Sequence, residues 1–102
     1  MRRSKYGAIR TEVDGIKFAS KREAKRYGEL KLLERAGKIH NLTVQPRFDL
    51  VVHGTKICTY VGDFRYLEDG WIVEDVKGVR TSVYRIKAKL MLACHGIKIK
   101  ET

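Results

Sequence analysis

Hydrophobic positions in this chain fall into short alternating runs and two longer runs with a three-to-four-residue repeat. RTEVDGIKF carries Asp14-Gly15 between two short apolar-polar alternations, the pattern of a tight hairpin. SKREAKRYGELKLLERAG predicts a helix over about 21–36. Ser20 is its N-cap candidate, Glu23 the capping-box partner and Gly37 the residue that ends it. Residues 38–45 show neither period and read as a connector. In RFDLVV, Phe48, Leu50 and Val52 alternate as a half-buried strand. His53-Gly54-Thr55 turns the chain, and a strand from about Lys56 or Tyr60 runs to Tyr66. LEDG turns it again and WIVEDVK returns, with Gly78 as breaker. Thr81 caps a second helix over about 82–95, Gly96 ends it, and IKIK closes as a short strand. After the first hairpin the order is helix, three strands, helix, strand. The class is α/β, in the sense of an α+β mixed sheet with helix packed on it. Residues 1–9 read as a flexible basic arm and 10–102 as one domain.

The strand WIVEDVKG raises a question of chemistry, because charges on a core-facing strand are costly. Alternation separates its two acids. Asp75 and Lys77 share a face with Trp71 and Val73, and Glu74 points the other way with Ile72 and Val76. A three-residue loop at Glu68-Asp69-Gly70 pairs Leu67 with Trp71 and Arg65 with Val73. That register sets Asp63 directly across from Asp75. A four-residue loop would pair Asp63 with Glu74, and a two-residue loop would pair it with Val76. Two carboxylates opposite each other repel, and a divalent cation is a good compensation. A third acid lies on the first helix. At about 100° per residue, Ala24, Tyr27, Leu30 and Leu33 form one arc with Glu23 in its middle. A glutamate on a core-facing stripe is uncommon without a partner. Glu34 falls near the same direction and receives no role.

Each of these residues also has a plainer reading. Glu23 can serve its helix cap alone. Asp75 and Lys77 can be an exposed pair on a wet strand. Asp63 can be a charge that protects a sheet edge. Lys87, on the apolar arc of the second helix with Val83, Leu90 and Cys94, can reach the same site or a phosphate, or simply snorkel.

Charge adds a partner class. The chain has 22 basic and 12 acidic residues, a net charge of +10, which attracts polyanions and nucleic acid first among them. Arg2, Arg3, Lys5 and Arg10 are candidate phosphate contacts rather than base readers. Cys58 and Cys94 are far apart and His40, His53 and His95 are scattered, so no zinc pattern arises. No apolar run approaches the ~18 residues of a membrane span. Neither a membrane nor a small-molecule cofactor is expected. The N-terminus lacks the apolar stretch of a signal peptide, which gives a cytoplasmic expectation.

Taken together, these residues resemble the PD-(D/E)xK nuclease superfamily, with its restriction-endonuclease-like αβββαβ core, here preceded by a β-hairpin. Asp63 matches the first acid, Asp75-Val76-Lys77 the acid-x-Lys, and Glu23 the helix glutamate. Gly62 stands where the motif's name has proline. The chain also looks like small phage and prophage proteins catalogued as a domain of unknown function. FASKREAKRYGELKLLERAG, VQPRFDL, YVGDFRY, VEDVKG and KAKLMLACHGI carry that likeness, from Tyr6 to Ile99. The resemblance implies a Mg²⁺-dependent endonuclease acting on DNA, with Mn²⁺ able to substitute. Asp63, Asp75, the Val76 carbonyl and Glu23 would be metal ligands, and Lys77 would act on the attacking water or the phosphate. It further implies a homodimer and structured or branched DNA, such as Holliday junctions, or a non-specific nuclease. The alternative is a nucleic-acid-binding module of phage origin without catalysis.

Overall fold

The computed structural model describes residues 10–102. Arg2, Arg3 and Lys5, with the rest of the expected basic arm, lie outside the described residues; Arg10 is exposed. The elements are β1 (Thr11–Val13), β2 (Ile16–Phe18), α1 (Lys21–Arg35), β3 (His40–Val44), β4 (Arg47–Val52), β5 (Thr55–Val61), β6 (Phe64–Leu67), β7 (Trp71–Asp75), α2 (Ser82–His95) and β8 (Lys100–Glu101). A four-stranded sheet runs β3-β6-β7-β8, antiparallel except for the parallel β7-β8 pair. β1 and β2 form the expected hairpin, and Asp14 and Gly15 both take the left-handed backbone its tight turn requires. The result is a mixed α+β fold that begins with a β-hairpin.

Two expectations about the strands are corrected. Residues 38–45 are no connector: they contain β3, an edge strand of the central sheet. The irregular register between His40 and Thr43, with Asn41 left-handed, erases any alternation there. The strand expected to run to Tyr66 is also two strands, β5 and β6, parted at Gly62-Asp63. Opposite that break, β3 and β4 part at Gln45-Pro46. Gly62 N–H donates to the Pro46 carbonyl (3.0 Å) and Gln45 N–H to the Asp63 carbonyl (2.9 Å). β3–β4 and β5–β6 therefore make one long antiparallel ribbon, bent in the middle. The bend sends β4 and β5 into a separate two-stranded sheet. A side chain at position 62 would begin only 3.2 Å from Val73 Cγ1 and 3.4 Å from the Tyr60 ring, so glycine permits the close approach there. With the β4-β5 hairpin set aside, the order is α1, three antiparallel strands, α2 and a parallel strand, although the first of those strands is β3 rather than RFDLVV.

Smaller differences follow from packing. Leu33 is 36% exposed and leaves the α1 arc, which buries Ala24, Tyr27 and Leu30. β7 stops at Asp75 instead of Lys77, and the closing strand is Lys100–Glu101 instead of IKIK. The pairing still continues, since Thr102 N–H donates to the Asp75 carbonyl (3.0 Å) and Lys77 N–H to the Thr102 carbonyl (3.1 Å). The second helix spans the expected residues, capped by Thr81 and ended at Gly96.

The two faces of the central sheet carry separate cores. Phe18, Tyr27, Leu30, Ile39, Phe64 and Tyr66 pack under α1. Leu50, Tyr60, Val73, Tyr84 and Met91 pack under α2 and the β4-β5 hairpin. Glu74 lies on the α1 side and is fully buried. Arg26 of α1 grips it with two nitrogens, at 2.5 and 3.0 Å. Tyr66 Oη donates to it at 2.5 Å and Thr102 Oγ1 at 3.2 Å. Burial alone would raise this carboxyl, but the Arg26 and Tyr66 hydrogen bonds, the Arg26 charge and Thr102 together hold it below its usual value. The pair joins β7 to α1, to β6 and to residue 102.

Removing the Glu74 charge leaves the half-buried Arg26 with only the exposed Glu29, at 3.1 Å, as an acidic partner. Glu74→Gln is expected to cost on the order of 3 kcal/mol in urea unfolding at pH 7. A depressed folded pKa gives stability that is complete above the unfolded value of 4.5 and lost as pH falls through the folded one. The acid limb of the stability profile should therefore flatten in Glu74→Gln.

Candidate active site

The β6-β7 ladder pairs Leu67 with Trp71 and Arg65 with Val73, as the three-residue loop requires. Its last pair is Phe64 with Glu74, so Asp63 and Asp75 lie just past the end of the ladder and the expected direct pairing of the two does not form. Asp63 sits in the ribbon's bend, tied by its N–H to the Glu74 carbonyl at 3.1 Å. Its carboxylate Oδ2 accepts the Val76 N–H at 2.7 Å. Val76 thus enters the site through its N–H.

Asp75 lies on the α2 face, 4% exposed. Its Oδ1 is 3.0 Å from the Lys77 ammonium, and its Oδ2 accepts the Tyr60 hydroxyl at 2.5 Å. The alternation that placed Asp75 and Lys77 together and Glu74 apart holds. Lys77 Nζ also stands 3.9 Å from the centre of the Tyr84 ring, a cation–π contact. Tyr84 in turn donates to Glu101 at 2.7 Å, and Glu101 pairs with Arg80. Burial, then the hydrogen bond to Asp75, pushes the Tyr60 hydroxyl far up, so it remains a donor at neutral pH.

Glu23 approaches from the first turn of α1. The Ser20 hydroxyl accepts the Glu23 N–H at 3.2 Å and lies 3.3 Å from Glu23 Oε2. The cap therefore engages one carboxylate oxygen of Glu23 and does not exhaust it. The other neighbour of Glu23 is Asp63. Burial pushes the Asp63 carboxyl up; the Val76 hydrogen bond opposes this, and the charges of Asp75 and Glu23 add to it, bringing the value to about 8. Asp63 thus feels both other acids. Even so, no three His, Cys, Asp or Glu side chains among the described residues form a group able to hold a metal as they stand. Both Asp75 oxygens are already occupied, by Tyr60 and Lys77.

Lys87 lines the same cleft as Asp75 and Lys77. Glu34, left without a role above, accepts the Leu42 N–H at 3.1 Å and so secures β3 to α1. Tyr60, Tyr84 and Arg26 were missed as partners of the charged strand. Arg26 falls about 60° from Glu23, inside the apolar arc of α1, and a cation on a core-facing arc was the available signal for a buried acidic partner.

A family model described as "Protein of unknown function (DUF1064)" matches residues 3–100. The chain belongs to that family. No curated protein and no solved structure matches it. No helix among the described residues is long and apolar enough to cross a membrane.

A carboxyl whose folded pKa exceeds its unfolded value costs stability. The cost is absent below the ordinary value of 3.8, grows as pH rises and is complete above about 8. Asn can keep the Val76 hydrogen bond without the charge. In chelator, Asp63→Asn is expected to unfold at a Tm about 4 °C or more above wild type near pH 8, with the gap closing towards pH 4, by differential scanning calorimetry.

Proposed function

We propose that this protein is a Mg²⁺-dependent DNA endonuclease of the PD-(D/E)xK kind. The observation that carries the reading is Asp63 beside Asp75 at the ribbon bend, with Lys77 paired to Asp75 and Glu23 adjoining Asp63. The element order around this corner and the net charge of +10 support it. The donor set also suits a hard cation: burial first, and then the charges of Asp75 and Glu23, push the Asp63 carboxyl up, and a cation would relieve both. Asp63 and Asp75 would hold Mg²⁺ or Mn²⁺, with Glu23 completing the shell and the Val76 N–H, rather than its carbonyl, steadying Asp63. When bound, the ion would supply Lewis-acid stabilisation of the phosphate and an activated water.

This chain's own residues then divide the work. Tyr60 holds one Asp75 oxygen and so sets the rotation of its carboxylate. Lys77 stands within reach of whatever Asp75 binds, where its ammonium can orient a water or balance charge on the phosphate. Lys87 gives a second cation at the cleft rim. Cleavage of both duplex strands would place two copies across the DNA, hence a homodimer. Branched DNA remains part of the proposal. One observation favours the non-catalytic binding module instead: both Asp75 oxygens already have protein partners.

Cleavage with Mg²⁺ separates the two readings. Wild type should cut DNA from a panel of duplex, single-stranded and branched substrates. Asp75→Asn should lower the rate by roughly a thousand-fold while the protein stays folded by circular dichroism. Cleavage by a folded Asp75→Asn at the wild-type rate, or binding of DNA with no cleavage by wild type, would reject the nuclease reading.

A further inference from the structure

Asp75 and Lys77 form part of a cleft between β5 and the first turns of α2. Thr59 and Val61 come from β5, and Thr81, Val83 and Lys87 from the α2 side. The cleft holds about 280 Å³. Val61 is 43% exposed and Val83 59%, so methyl groups face the opening. Two hydroxyls stand on the walls: Thr59 donates to Asp49, and Thr81 accepts the Tyr84 N–H that begins α2. Lys87 is half-buried and, among the described residues, has no acidic partner.

Lys77 also lines a second opening, with Gly78, Val79, Arg80 and Arg85. Arg80 is taken by Glu101, whereas Arg85 is exposed and unpaired among the described residues. A polyanionic strand crossing Lys77 thus meets a free cation on either side. In the cleft it also meets two apolar side chains, Val61 and Val83. Stacked, paired bases have their faces covered and gain nothing from Val61 and Val83. An unpaired nucleotide brings a bare base face and sugar to them.

We propose that the cleft receives an unpaired nucleotide adjoining the phosphate at Asp63 and Asp75. Val61 and Val83 lie against its sugar and base, and Lys87 takes the neighbouring phosphate. The substrate class is a single-stranded or splayed DNA segment. This rests on the nuclease reading for the position of the phosphate.

Fluorescence anisotropy in chelator tests the cleft without depending on cleavage. The probes are a labelled mixed-sequence single strand and its paired duplex, with wild type, Val83→Glu and Lys87→Ala. Wild type should bind the single strand more tightly than the duplex. Val83→Glu should weaken single-strand binding about ten-fold or more and duplex binding by less than about two-fold. Lys87→Ala should weaken the single strand by about three-fold or more and flatten its salt dependence. Equal binding of both probes by wild type, or an equal effect of Val83→Glu on both, would overturn the proposal. So would a wild-type dimer that Val83→Glu turns into monomers by sedimentation, since the cleft would then be a self-contact. Failure of the nuclease reading would show separately, as absence of Mg²⁺-dependent cleavage by wild type while this binding pattern persists.

Discussion

Glu74 and Asp75 are neighbours on a strand, so locking one fixes where the other points. Arg26, Tyr66 and Thr102 hold the Glu74 carboxylate in a fully buried position under α1. The next side chain must then emerge on the α2 face. There it meets Tyr60 and Lys77. The buried pair is costly to form and costly to break, which is the usual balance for an ion pair removed from water. Its consequence is directional as well as energetic: α1 and β7 are joined with Asp75 aimed into the cleft.

The second constraint is the bend in the β3–β4 and β5–β6 ribbon. Pro46 offers no N–H, Gln45 takes a left-handed backbone, and Gly62 allows Val73 and Tyr60 to close in. The strand pairing is interrupted there, and Asp63 occupies the interruption. A carboxylate in that corner is poorly solvated and lies near two others, which raises its pKa. An arrangement so unfavourable for a bare anion is a cost to folding that a bound cation or a proton offsets. The same bend swings the β4-β5 hairpin outward and creates one wall of the cleft beside α2.

Much of this was legible in the residues. Alternation separated Asp75 from Glu74, and a three-residue turn at Glu68-Asp69-Gly70 gave the register that pairs Leu67 with Trp71 and Arg65 with Val73. Cap residues set α2 and nearly set α1. The illegible parts depend on contacts distant in sequence. β3 has no period because its order comes from pairing with β6 and from the Glu34 contact to Leu42. Val61 to Phe64 read as continuous strand because hydrophobicity does not register a change of sheet. Leu33 satisfied the helical arc, yet nothing packs over that end of α1 deeply enough to bury it. Glu74 looked like the spare acid of its pair. Its role became visible only with Arg26 in place, 48 residues earlier in the chain.

The central claim is that Asp63 and Asp75, and not Glu74, form a divalent-cation site at the ribbon bend. The most direct measurement is paramagnetic broadening of backbone amide NMR signals by substoichiometric Mn²⁺. Broadening should centre on Asp63, Asp75, Val76 and Lys77, include Glu23, and disappear in Asp63→Asn. Broadening confined to scattered exposed acids such as Asp49 and Asp69, or unchanged in Asp63→Asn, would contradict the account.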